Sequence, residues 1–169
     1  MVEKKYSNDI DYAREILAAD TRAFFAFGKI LAIGNYRKDV PKNIYWSAKL
    51  VGTVSEDCGP CTQLLVAMAL EDGVDRSVIS AVLAGNDAAL PADVLLGVKF
   101  ARAALAHAPE ADEYREQIAK LHGPRAVLSL AFAICVARFY PTLKYALGHG
   151  KACQRVTVAG ENIVVARAS

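Results

Sequence analysis

Two cysteines separated by Gly-Pro, Cys58-Gly59-Pro60-Cys61, constrain this chain more than any other feature. Proline fits the first turn of an α-helix, where its missing N–H would lack a partner anyway. The Gly-Pro pair therefore marks a helix start, with the motif wrapped around it. Leu64, Leu65, Ala67, Met68 and Leu70 continue that helix, and Gly73 closes it. The residues upstream, from Pro41 through Ile44, Trp46, Leu50 and Val54 toward Glu56, also space their apolar positions as a helix does. The motif thus sits between two helices, and a helix leads into it.

The rest of the chain is punctuated in the same way. Asp9 to Ala18 carries Ile10, Ala13, Ile16 and Leu17 on one face. Thr21 is placed to cap a helix that runs through Phe24, Phe27, Ile30 and Ile33 to Gly34-Asn35. Asp75 caps Ser77 to Leu83, and Gly85 ends it. Pro91 opens a helix through Val94, Val98 and Leu105. Glu110 to Leu121 is more polar, and Gly123-Pro124 joins it to a last helix that is apolar almost all round from Val127 to Val136. The period then changes: Arg155–Val158 and Ile163–Val165 flank Ala159-Gly160-Glu161-Asn162, the pattern of a hairpin. The expectation is a single all-α domain over residues 1–169, of about eight helices, with a small terminal β-hairpin at 154–167.

Composition narrows the function. Twenty Lys and Arg against 18 Asp and Glu leave a net charge of +2, no electrostatic case for nucleic acid or an anionic membrane. Residues 1–11 lack the apolar core of a secretory signal. The longest apolar run, Ala126 to Ala137, is bounded by Arg125 and Arg138 and falls short of the roughly 20 residues a spanning helix needs. A cytoplasmic protein is expected. The 54% hydrophobic content is high for a soluble chain and fits apolar faces buried between subunits.

In a reducing compartment a close cysteine pair is catalytic or metal-binding rather than a staple. At a helix start, free N–H groups and the helix dipole favour the reactive thiolate. Glu56 and Asp57, just upstream, either disfavour that thiolate by repulsion or serve as the base that takes the thiol proton. Zinc needs two further ligands, and His107, His122, His149 and Cys153 form no pair at usual spacing, so no metal or other cofactor is expected. Cys135, inside the apolar helix, reads as an inert core residue. Thioredoxins carry the same four letters, but need a strand leading into the motif and typically a preceding Trp, and this chain has neither.

Helix, CxxC and helix within a small Ala-rich all-α domain resemble the AhpD-like family, which includes carboxymuconolactone decarboxylase relatives. The stretch from Ser55 through Cys58, Cys61 and Leu64, and the following Glu71-Asp72-Gly73-Val74, are similar to that family's motif helix and turn. The resemblance spans Pro41 to Ala108. It implies a helical bundle assembled as a homo-oligomer, often a trimer or hexamer, acting as a thiol-dependent peroxidase or disulfide reductase served by a thiol reductant. It also implies that Cys61 attacks peroxide and Cys58 resolves the disulfide. The family's His and Glu proton relay falls on Leu65 and Trp46, so the relay is missing. Either Glu56, Asp57 or His149 replaces the base, or an exposed Cys58 is the nucleophile and thiol exchange the chemistry. A non-catalytic oligomeric scaffold, or a redox-responsive binding protein of the same fold, is the alternative. His149 lies between two glycines and reads chiefly as a loop residue, and Trp46 with Tyr45 as core or as a wall of the cysteine site.

Overall fold

The computed structural model describes residues 10–150 and 155–166. Its helices are α1 (Asp11–Ala19), α2 (Thr21–Gly28), α3 (Ile30–Gly34), α4 (Lys42–Val54), α5 (Gly59–Glu71), α6 (Arg76–Ala84), α7 (Ala92–Ala106), α8 (Glu110–His122) and α9 (Pro124–Ala146). A 3₁₀ turn spans Asp87–Ala89, and strands β1 (Arg155–Val158) and β2 (Glu161–Val164) end the chain. Counting α2 and α3 as one helix broken at Lys29, the described residues form the expected all-α bundle of eight helices with a C-terminal hairpin.

Helix α4 is the axis of the bundle. It packs against α9 on one side, α7 on another, and α5 and α6 on the rest. Ile44, Ala48 and Leu50 of α4 are buried with Val66 of α5, Ile79 and Leu83 of α6, Val94 and Val98 of α7 and Leu130 of α9. Two glycines set how closely these helices approach. A Cβ on Gly97 would stand 2.5 Å from Ile44 Cγ2, and one on Gly52 would stand 3.1 Å from both Ala137 Cβ and the Ile134 carbonyl. At Gly97 a methyl would force Ile44 to shift, and at Gly52 it would press on α9.

Helix α9 continues past the apolar run to Ala146. Its length and composition would allow it to cross a membrane, a measure that the core helix of a packed bundle also satisfies. Here it lies along α3, α4 and α8. Pro141 inside it cannot donate to the Ala137 carbonyl one turn back. The buried Thr53 of α4 faces that carbonyl, its Oγ1 3.3 Å from the Ala137 oxygen and 3.2 Å from that of Lys49. The hydroxyl thus offers the orphaned acceptor a partner from the neighbouring helix.

Several expected boundaries move for local reasons. Asp20, not Thr21, caps α2: its carboxylate accepts from the Arg22 N–H at 2.7 Å. Asp75 stands at the N-cap of α6, yet its carboxylate accepts from Asn43 Nδ2 at 3.1 Å instead of capping. Gly73, at φ +75°, closes α5 with the paired reverse bonds Val74 N–H to Ala69 O and Gly73 N–H to Leu70 O, both 3.0 Å. The hairpin turns on Ala159 and Gly160, both at positive φ, so that Val158 pairs with Glu161 in antiparallel register. Val156 and Val158 bury their side chains in the core, and the Ala166 N–H donates to Leu83 O at 2.8 Å. The hairpin is thereby fixed to α5 and α6.

Candidate functional site

Cys58 takes extended backbone angles as N-cap residue of α5, with Gly59 and Pro60 as the first helical residues. Asp57 turns the chain into it at φ +48°, a left-handed conformation that Asp tolerates better than most residues. The two cysteines sit one helical turn apart, Cα to Cα 5.3 Å, and their sulfurs are joined as a disulfide. Cys58 is 0% exposed and Cys61 7%. The expectation of an exposed Cys58 is therefore corrected. The chain segment ahead of it is tied to α9, and β1 lies on α5 behind it.

Those ties are specific. Glu56 is ion-paired to Arg138 and accepts from Thr142 Oγ1 at 2.9 Å, and the Asp57 carbonyl accepts from Tyr145 Oη at 2.9 Å. All three partners lie on α9. On the other side Gln63, two residues past Cys61, holds the hairpin by both ends of its amide. Nε2 donates to the Thr157 carbonyl at 2.9 Å, and Oε1 accepts from the Thr157 N–H at 2.8 Å. The Gln63 amide thereby continues the strand pairing of β1.

None of the candidate bases is presented to the sulfurs as a free group. Glu56 is committed to Arg138 and Thr142. His149, in the loop after α9, has its Nε2 2.7 Å from Glu15 Oε2 of α1. Leu65 packs against the core, and Trp46 donates its indole N–H to Asp72 at 2.7 Å, so neither relay position carries a proton-transfer group. Cys135 is corrected: it is exposed, in a groove of about 710 Å³ between α7 and α9 beside Phe100, His107 and Phe139. A helix apolar on every side does not mark which face is covered. Cys153 falls outside the described residues. Among the described residues no cluster of three or more His, Cys, Asp or Glu could hold a metal.

A second polar centre lies about 10 Å further along α5, by helical rise from Cys61 to Met68. Here the carboxyl end of α5 meets the amino-terminal half of α4 and the 35–41 segment. Tyr45, Trp46, Lys49, Asn35, Arg37, Met68, Glu71 and Asp72 line a cleft of about 560 Å³. Arg37 and Asp72 are ion-paired, and with the Trp46 indole this holds the Asp72 carboxyl below its ordinary range. Lys49 is only 6% exposed. Its Nζ donates to the Gly34 carbonyl at 2.8 Å and to Tyr45 Oη at 3.4 Å, and stands 5.3 Å and 5.0 Å from the Tyr45 and Trp46 ring centroids. Burial pushes its ammonium down to about 8, and pushes the Tyr45 phenol up to about 12. Tyr45 and Trp46 therefore wall this cleft rather than the cysteine site. The signal for it in the sequence is one lysine inside the otherwise cation-free run from Ile44 to Leu50.

No protein-family model, curated protein or solved structure matches the chain.

Proposed function

We propose that the protein is a thiol–disulfide oxidoreductase of AhpD-like type, with Cys58 and Cys61 cycling between dithiol and disulfide. One observation carries this reading: the two sulfurs lie at bonding distance at the start of a helix, where the free N–H groups of the first turn favour a thiolate once the bond is reduced. In the reductive direction a thiolate of an external reductant attacks one sulfur, and a second thiol releases the resulting mixed disulfide. Cys61 is the less buried of the two and the better target. With a hydroperoxide, the Cys61 thiolate attacks the terminal oxygen, releasing an alcohol and leaving a sulfenic acid. The Cys58 thiol then displaces water from that sulfur and closes the disulfide.

The reductant is a small or protein dithiol, and the working compartment is the cytoplasm. Phe25, at 68% exposure, with Leu31, Leu121 and Leu128, supports assembly as a homo-oligomer. Leu65 in the core and Trp46 bound to Asp72 favour a second reading, a redox-responsive scaffold that switches without turning over peroxide. General base catalysis is typically worth about 10² to 10⁴ in rate. Disulfide reduction at a useful rate together with peroxide reduction slowed by about that factor fits the first reading.

The test is intact-mass measurement of the reduced protein after mild peroxide or a disulfide reagent. Loss of two hydrogens is expected, abolished by Cys58→Ser and by Cys61→Ser, with turnover of a dithiol-dependent disulfide assay falling with it. A pair that stays reduced under both reagents sinks the oxidoreductase. Oxidation without turnover of either substrate selects the scaffold.

A further inference from the structure

We propose that the cleft between α4, the carboxyl end of α5 and the 35–41 segment binds a small organic monocarboxylate, its carboxylate seated on Lys49 and its apolar body against Met68 and the Trp46 ring. This goes beyond the redox reading and does not depend on it.

Lys49 places a charge in the cleft wall without a counter-charge among the described residues. An ammonium has three N–H donors. In Lys49 one goes to Gly34 O and a second, longer one to Tyr45 Oη; both acceptors are neutral. Among the described residues no carboxylate lies within ion-pairing distance of Nζ, and burial alone accounts for its altered ionisation. Buried cations are ordinarily paired. An anion entering the cleft would supply both the missing hydrogen-bond acceptor and the missing charge.

The ground around Lys49 selects the kind of anion. Asp72 is neutralised by Arg37 and further held by the Trp46 indole, and Lys42 Nζ lies 3.3 Å from its carbonyl. The lining carries two cations, Arg37 and Lys49, and two carboxylates, Asp72 and Glu71, and among the described residues Lys49 is the lining cation with no carboxylate at ion-pairing distance. With the charges of the lining equal in number, a dianion or polyphosphate would leave the cleft more negative than a monoanion does. Met68 and the faces of Tyr45 and Trp46 supply apolar contact for a short aliphatic or aromatic body, and about 560 Å³ falls within the usual size of a small-molecule site.

The site is also built in advance. Ser129 of α9 accepts from the Lys38 N–H at 2.9 Å and lies 3.1 Å from the Lys38 carbonyl. Arg125 grips Asp39 with two bonds, at 2.6 and 3.0 Å. These ties fix the 35–41 segment against α9, so the wall that carries Arg37 stands in place before any ligand arrives.

Trp46 is the chain's one tryptophan and lines the cleft, so its emission reports occupancy. The full-length protein is titrated with sodium hexanoate and sodium benzoate at constant ionic strength, by Trp46 emission and by calorimetry, with sodium chloride and inorganic phosphate as comparison anions. Saturation is expected on the order of millimolar or tighter, weakened at least tenfold in Lys49→Met and largely kept in Lys49→Arg. Met68→Phe, which fills the cleft without altering charge, is expected to weaken binding as well and serves where the lysine variant fails to fold. Absence of saturable binding by both carboxylates overturns the proposal. So does binding that persists undiminished in both Lys49→Met and Met68→Phe, or phosphate binding as tight as that of the carboxylates.

Discussion

Replacing Lys49 by Met gives the sharpest test of the electrostatic reasoning, because the two residues have similar length and only one carries a charge. A lysine ordinarily ionises near 10.5, and Lys49 does so near about 8 in the fold. The native state therefore holds that proton less tightly by about 3 kcal/mol. Below pH 8 both folded and unfolded chains are protonated, and the native state bears the whole penalty. Between about pH 8 and 10.5 the unfolded chain binds more protons, so stability rises with pH, by at most about 1.4 kcal/mol per pH unit. Above that window no further gain comes from Lys49. Methionine removes the penalty, but it also loses the bond to Gly34 O, about 1 kcal/mol, and the two ring contacts, about 0.5 to 1 kcal/mol together. The Gly34 carbonyl is not orphaned, since Tyr45 Oη donates to it at 2.5 Å. The expected outcome is a variant about 1 kcal/mol more stable than the parent at pH 7 and about 2 kcal/mol less stable at pH 10.5, the two curves crossing near pH 9. Urea unfolding followed by far-ultraviolet circular dichroism at pH 7, 8, 9, 10 and 10.5 measures this. Tyr45 and Tyr140, both pushed up to about 12, cost stability only above pH 10 and do so in both proteins. Curves that stay parallel through pH 8–10 would refute the account of a buried, unpaired lysine.

Two further substitutions probe packing and access. Gly97→Ala places a methyl at 2.5 Å from Ile44 Cγ2, and should cost about 1 to 3 kcal/mol in urea unfolding despite alanine's better helix propensity; equal or greater stability would contradict the close crossing of α4 and α7. Gln63→Ala removes both bonds that hold Thr157, about 1 kcal/mol each, and so loosens β1 from α5. Reduction of the Cys58–Cys61 bond by dithiothreitol should then quicken by at most roughly thirtyfold, the factor that about 2 kcal/mol supplies, read by alkylation and mass; an unchanged rate means the hairpin does not guard the sulfurs.

Much of the fold is legible because its punctuation is local. Pro41, Gly59-Pro60, Gly85, Gly123-Pro124 and Ala159-Gly160 each act through backbone angles that a few neighbours determine, and each marks a boundary within a residue or two of where it falls. What depends on a distant partner is not legible. Asp20 and Thr21 are both good caps, and Asp75 is drawn off its cap by Asn43, a residue on another helix. Cys135 and Lys49 are reversed from their usual places for the same reason: α9 is apolar on every side, so its sequence cannot say that Cys135 faces a groove, and the run from Ile44 to Leu50 shows a lysine among apolar neighbours but not that Gly34 and Tyr45 enclose it.

The cysteine pair shows the same division. Its spacing and its place at a helix start follow from four letters, but its accessibility is set by groups far away in the chain: Arg138, Thr142 and Tyr145 of α9 on one side and Thr157 of the hairpin on the other. Redox chemistry at Cys58 and Cys61 therefore requires part of this clasp to open, because a thiolate must approach along the line of the sulfur–sulfur bond and Cys58 offers no surface. Of the two sides the hairpin is the easier to release. It is held by the buried side chains of Val156 and Val158, one amide clasp and the Ala166 bond to Leu83, whereas α9 is held along its length by α3, α4 and α8. Local opening draws on the least stable elements of a fold. On the proposed redox reading, the reactive direction of the site is accordingly the hairpin side, toward Cys61, and the α9 side is its fixed wall.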